Sequence, residues 1–98
     1  MSLRILAVDD SRTIRDMLKM ALVQAGFSPD FAEDGVHGLE VLDDMDAPDA
    51  IITDINMPRL DGFGFIEAVR SKPAHRTTPI LVLTTESAPE LKARARAA

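Results

Sequence analysis

The chain is 98 residues long, 46% hydrophobic and 28% charged, with a formal net charge of -5. This is the size of one domain, with the composition of an ordinary soluble globular protein rather than a disordered one. Cysteine is absent, which excludes disulfides, thiolate metal sites and a cysteine nucleophile. No apolar run approaches the roughly 18 residues of a membrane span, no signal-peptide pattern precedes the first strand-like stretch, and the acidic balance argues against nucleic acid as the main partner. A cytoplasmic protein is the expectation.

Arg4-Ile5-Leu6-Ala7-Val8 is apolar, too short for a helix, and ends at Asp9-Asp10; it reads as a buried strand. Ser11 or Asp10 then offers a helix N-cap. Ile14, Met17, Leu18, Ala21, Leu22 and Ala25 recur at helical spacing before Gly26, a natural stop. Phe27 to Ala32 is a weaker strand whose Pro29 suits a sheet edge. Asp34-Gly35 reads as a turn, and Val36, Leu39, Leu42 and Met45 mark one face of a second helix that ends at Asp46-Ala47-Pro48. Ala50-Ile51-Ile52-Thr53 is a third strand running into Asp54, followed by a loop from Asn56 to Gly62 punctuated by Pro58. Phe63 to Ser71 is a third helix with Ile66 and Val69 inward, and Pro79 to Leu83 a fourth strand closing at Thr84-Thr85. Pro89-Glu90-Leu91-Lys92 opens a fourth helix, with Pro89 tolerable in its first turn.

Strands alternating with helices predict an α/β fold: a parallel sheet, doubly wound, with helices on both faces. Right-handed crossovers leave few topologies. No internal repeat, low-complexity tract or linker divides the chain.

Ligands of open α/β sheets bind beyond the carboxyl ends of the strands, where strand order reverses. Asp9 and Asp10 end the first predicted strand, Asp54 the third, and Thr84 and Thr85 the fourth. The first 67 residues carry 14 acids against 5 bases, and the last 31 carry 2 against 6. Charge runs usually mean solvated helix faces, and Asp10 or Thr84 taken alone reads first as a helix cap. Asp54 has no such explanation, and the Asp9-Asp10 pair is one acid more than capping requires. Three carboxylates in one crevice repel, so one takes up a proton unless a cation neutralises them. Oxygen-only ligands suit a hard ion, Mg²⁺ above all, which keeps waters and leaves room for phosphate oxygens. Helix N-termini after Asp10 and Thr84 add positive dipole ends that favour an anion.

Three blocks, Leu6-Ala7-Val8-Asp9-Asp10-Ser11-Arg12, Ile52-Thr53-Asp54-Ile55-Asn56-Met57-Pro58-Arg59-Leu60-Asp61-Gly62 and Leu81-Val82-Leu83-Thr84-Thr85-Glu86, resemble the receiver domain of bacterial two-component response regulators, and within it the single-domain chemotaxis CheY type. The resemblance covers the whole chain, and the second block is its most specific part. It implies a flavodoxin-like sheet of order 2-1-3-4 for residues 1–98. It also implies roles: Asp54 as phosphoacceptor, Asp10 as a direct Mg²⁺ ligand, Asp9 as one acting largely through water, and the Asn56 backbone carbonyl completing the protein's share of the coordination. Thr84 is implied as the switch hydroxyl that closes onto the phosphoryl group. Asn56 and Glu86 stand where the family tunes access and dephosphorylation, and Pro58 and Gly62 shape the loop. The implied donor is a phosphohistidine of a sensor histidine kinase, and the implied output is binding to a protein such as a flagellar motor component or a kinase complex. The chemotaxis expectation rests on Asp10-Ser11-Arg12-Thr13-Ile14-Arg15 with Asn56 and Glu86.

The family pattern continues with a fifth strand carrying a Lys-Pro pair and a fifth helix, and neither is found before Ala98. Lys19, Lys72 and Lys92, the three lysines, do not stand at a fifth-strand end. The expectation is a receiver domain incomplete at its C-terminus, part of a longer chain; a second copy covering the open edge, by edge pairing or domain swapping, and a marginally folded fragment are the alternatives. Two other functions compete. A Mg²⁺-dependent phosphohydrolase with an Asp54 nucleophile is disfavoured because Asn56 stands where such enzymes keep a general acid. An inert interaction module is supported by the missing lysine and opposed by the intact acids. His37, on the exposed side of the second helix, and His75, in a loop, have no partner ligands. Met17, Met20 and Met45 read as helix packing, and Arg94 and Arg96 as a solvated face.

Overall fold

The structure is a computed structural model that describes residues 3–83. The predicted fourth helix, with Thr84, Thr85, Glu86, Lys92, Arg94 and Arg96, lies outside the described residues. Strand β1 spans Arg4–Val8, helix α1 Arg12–Gln24, β2 Ser28–Ala32, α2 Gly35–Asp44, β3 Ala50–Asp54, α3 Gly62–Ser71 and β4 Ile80–Leu83, with a short 3₁₀ turn at Pro73–His75. The sheet runs β2-β1-β3-β4 with every neighbouring pair parallel. This is the doubly wound, flavodoxin-like arrangement expected.

Parallel strands covered on both faces need apolar residues at successive positions, and β1 supplies them. Leu6 and Val8 join Ile51, Leu42, Phe65 and Val69 in a core beneath α2 and α3, while Ile5 and Ala7 face the other way with Ile52, against Leu18 and Leu22 of α1. Side chains as deeply buried as Leu6, Ile51 and Phe65 each contribute about 1.5–3 kcal/mol relative to exposure. β2 is an outer strand, which accommodates Pro29.

Three expectations need correction. Met17 and Met20 do not pack: they are 61% and 65% exposed. The stripe of α1 that meets the sheet cluster is formed by Leu18 and Leu22, four residues apart, and Met17 and Met20 lie off it; of these three methionines, Met45 packs against the core. His75 is not in an open loop; Pro73 starts a 3₁₀ turn that buries it to 7% exposure. His37 is half-buried, its Nδ1 accepting from the Glu33 N–H at 3.2 Å.

Candidate functional site

Each acid reaches the site because its strand stops there. Val8 and Thr53 are register partners on β1 and β3, so Asp9 and Asp54 leave adjacent strands at the same edge. Asp9 is 5% exposed; its N–H donates to the Ala32 carbonyl at 3.1 Å, extending the ladder, and its Oδ1 accepts from the Ser11 N–H at 2.8 Å. Arg15, at the end of the first turn of α1, donates through Nη1 to the Asp9 carbonyl oxygen at 2.7 Å. Helical side chains lean toward the N-terminus, which is how Arg15 reaches back across six residues.

The choice of helix cap decides what Asp10 is free to do. Ser11 caps α1, its Oγ accepting from the Ile14 N–H at 3.3 Å, and Asp10 remains exposed at the rim. Asp54 is half-buried, with Oδ1 accepting from the Ile55 N–H at 2.7 Å; the buried Thr53 hydroxyl donates to the Asp54 carbonyl at 2.9 Å. Burial pushes the Asp54 carboxyl above the usual aspartate range, and the charges of Asp9 and Asp10 push it the same way, against the pull of the Ile55 and Asn56 N–H groups.

One carboxylate oxygen from each of Asp9, Asp10 and Asp54 lies within 4.8 Å of the other two. They open, with Ser11, Ile14, Asn56 and Leu83, onto a cavity of about 320 Å³. Sequence reasoning placed these three acids together, and the structure does so. Thr84 follows Leu83, which lines the cavity, but lies outside the described residues. Other acids sit elsewhere, in surface pairs: Asp43 with Lys72 at 3.1 Å, and Asp46 with Arg4 at 2.9 Å. The donor set passes the test for a hard divalent cation. It consists of oxygens alone, close enough to share one ion, with a raised carboxyl among them that added positive charge would relieve.

The loop after Asp54 is held from two sides. The Gly62 N–H donates to the Ile55 carbonyl at 2.9 Å, and a Cβ on Gly62 would collide with the Asp54 carbonyl oxygen. Asp34, read from sequence as part of a turn, is the N-cap of α2, accepting from the His37 N–H at 2.8 Å. Its buried carboxylate also takes both guanidinium contacts of Arg59, Nε at 2.8 Å and Nη2 at 3.0 Å. Sequence reasoning read Asp34 only as part of a turn and named Arg15 and Arg59 only within longer family-like stretches, with no contact assigned to any of them. Neither contact had a local signal: Arg15 reaches out of its helix to a strand-end backbone oxygen six residues back, and the Asp34–Arg59 pair spans 25 residues.

The response regulator receiver domain family matches residues 5–98. The chain belongs to this family. Receiver domains are phosphoacceptor signalling domains of two-component systems. This receiver domain is 45% identical over 84 residues to the response regulator MprA of Mycobacterium bovis, a stretch that is 86% of this chain and 35% of that protein. It therefore spans about a third of the length of the curated relatives it matches. Among solved structures it is similar to the chemotaxis response regulator CheY4 of Vibrio cholerae, with a TM-score of 0.92 and 42% identity over 99% of this chain and 80% of that one. The fold is also that of the receiver domain of sensor histidine kinase PA1611 of Pseudomonas aeruginosa, described with a magnesium ion coordinated in its active-site cleft (TM-score 0.89, 23% identity, covering 100% of this chain and 80% of that one). No helix among the described residues is long and apolar enough to cross a membrane.

Proposed function

We propose that this receiver domain is a phosphorylation-activated switch that accepts a phosphoryl group on Asp54 from a sensor histidine kinase. The observation that carries the reading is the meeting of Asp9, Asp10 and Asp54 within 4.8 Å, at the edge where the parallel sheet opens. Asp54 is the proposed nucleophile: it ends β3, an inner strand of the sheet, and lines the cavity together with Asp9 and Asp10. One of its oxygens attacks the phosphorus; a P–O bond forms as the P–N bond to the donor histidine breaks, and the departing imidazole nitrogen keeps the electron pair and is protonated from solvent. Transfer of this kind has a loose transition state, so positioning and charge neutralisation dominate.

Asp10, Asp9, Asp54 and the Asn56 carbonyl are the groups that would hold Mg²⁺. Bound there, Mg²⁺ would supply positive charge that offsets the carboxylates and the incoming phosphoryl group. Asp9 keeps one oxygen on the Ser11 amide, which fixes its carboxylate and suits a contact through water. The Ile55 amide orients the Asp54 carboxylate. Thr84, next in sequence after Leu83, is the proposed hydroxyl that bonds the phosphoryl group and biases the output state. That output is cytoplasmic protein binding. Its assignment to chemotaxis is supported by the likeness to CheY4, while the MprA relatives are named only as response regulators.

The test is exposure to acetyl phosphate and Mg²⁺ followed by intact-mass measurement. One added phosphoryl group, lost in Asp54→Asn, is expected; no adduct on the wild-type protein would overturn the reading. Phosphorylation-dependent capture by a flagellar motor protein tests the chemotaxis output, and equal binding of the unphosphorylated form sinks it.

A further inference from the structure

We infer that Arg59 is a positioning residue for phosphoryl transfer: paired with Asp34, it pins the loop after Asp54 in one geometry and with it the Asn56 carbonyl. The inference rests on the phosphoacceptor reading of Asp54 and adds to it the device that holds the loop in place.

Arg59 stands at φ 66, and among the described residues other than glycine it is alone in that region. The Leu60 N–H donates to the Pro58 carbonyl at 2.7 Å across it. A bond from residue i+2 to residue i around a centre of positive φ is the rarer and strained form of the γ-turn. An arginine has no conformational reason to sit there; the surroundings must hold it. They do so from one direction. The guanidinium forks onto both oxygens of the buried Asp34, and next to it the Gly35 N–H donates to the Leu60 carbonyl at 3.2 Å. A Cβ on Gly35 would press into that carbonyl and the Leu60 side chain, so the start of α2 and the loop apex fit only with glycine at this corner.

The consequence follows from chain geometry. The segment from Asn56 to Asp61 is fixed at its root by the Gly62–Ile55 bond and at its apex by Arg59 and Leu60. Asn56 itself is exposed, so its carbonyl direction depends on the loop being held at both ends. Asp34 belongs to the cap of α2 and Arg59 to the loop between β3 and α3, so the latch ties the site to an element that supplies none of its ligands.

The experiment uses the intact protein and compares wild type, Arg59→Gly and Arg59→Lys. It records the Mg²⁺ concentration for half-maximal labelling by acetyl phosphate, Mg²⁺ affinity by titration calorimetry, hydrogen exchange of the Leu60 amide and the urea midpoint. Glycine adopts positive φ freely, so Arg59→Gly relieves the turn while deleting the latch. The expected result is faster Leu60 exchange and roughly tenfold weaker Mg²⁺ by both measures, the low end of what supporting partners of a metal site confer. Arg59→Lys, able to offer a point charge but no fork, recovers part of the loss. Wild-type Mg²⁺ dependence in a folded Arg59→Gly overturns the inference, whatever the urea midpoint does, because it leaves a purely structural contact. Should Arg59→Gly fail to fold, an unchanged Mg²⁺ dependence in Arg59→Lys overturns it equally. A wild-type protein that takes no label overturns the phosphoacceptor reading and the latch with it; a labelled wild type with indifferent variants overturns the latch alone.

Discussion

The Arg15 guanidinium lies 2.7 Å from the backbone oxygen of Asp9, with Arg15 half-buried. A helix residue therefore clamps the strand end that supplies the most buried acid of the site. Arg15→Met keeps the apolar stem and removes the clamp. Loss of a charge-assisted hydrogen bond of this kind costs about 1.5–3 kcal/mol, so the urea midpoint is expected to fall accordingly. A midpoint equal to wild type would show the contact to be dispensable.

At the proposed Mg²⁺ site, the crowding of three carboxylates is expected to make stability depend on divalent cation. At a Mg²⁺ concentration about 100 times its Kd, unfolding free energy is expected to rise by about 2.7 kcal/mol, and a chelator reverses the gain. Asp54→Asn relieves repulsion in the cation-free protein, so its melting temperature without Mg²⁺ should exceed that of wild type. Its response to added Mg²⁺ should be much smaller. Thermal unfolding of both proteins with and without Mg²⁺ reads all of this.

Asp34 makes an acid-dependent contribution of the opposite kind. The Arg59 guanidinium holds its carboxyl below the usual aspartate range, burial opposes this, and the His37 amide adds to the lowering. A carboxyl with a depressed folded-state pKa binds protons more weakly in the native than in the unfolded chain. Its stabilisation is therefore complete above the ordinary value of about 3.9 and disappears as pH falls through the lower native value. Asp34→Asn keeps a capping side chain while removing the charge. Its urea midpoint should lie below wild type at neutral pH, and the gap should close as pH falls below the ordinary aspartate range. A gap independent of pH would mean that the charge plays no part.

Gly62 is the first residue of α3, and an added Cβ would meet backbone at Asp54 and Ile55 rather than a flexible side chain. Gly62→Ala is expected to destabilise by about 1–3 kcal/mol, the usual penalty of overpacking, and to slow labelling by acetyl phosphate. Denaturation and a labelling time course check the two effects; unaltered labelling would show that the loop root tolerates displacement.

The elements that build the site were legible because their signals are local. β1 and β3 are apolar runs that end on acids, and the observed bounds Arg4–Val8 and Ala50–Asp54 put Asp9 and Asp54 where the runs said they would fall. The capping question was not legible, since Ser11 and Asp10 are equally good caps; only the hydrogen bond to Ser11 Oγ assigns it. The apolar recurrence on α1 located its inward face but not its width, which is why Met17 and Met20 were misplaced. Asp34 and Arg59 escaped because their partnership is tertiary: a DG pair is as good a turn as a helix start, and nothing near Arg59 announces a positive φ.

The pairing of Val8 with Thr53 has an electrostatic side. Two neighbouring acids mounted on a hydrogen-bonded ladder cannot drift apart to ease their mutual repulsion, as acids on a mobile loop could. The acid cluster is thereby left electrostatically frustrated, and a divalent cation held there as proposed would draw part of its affinity from relief of that built-in repulsion.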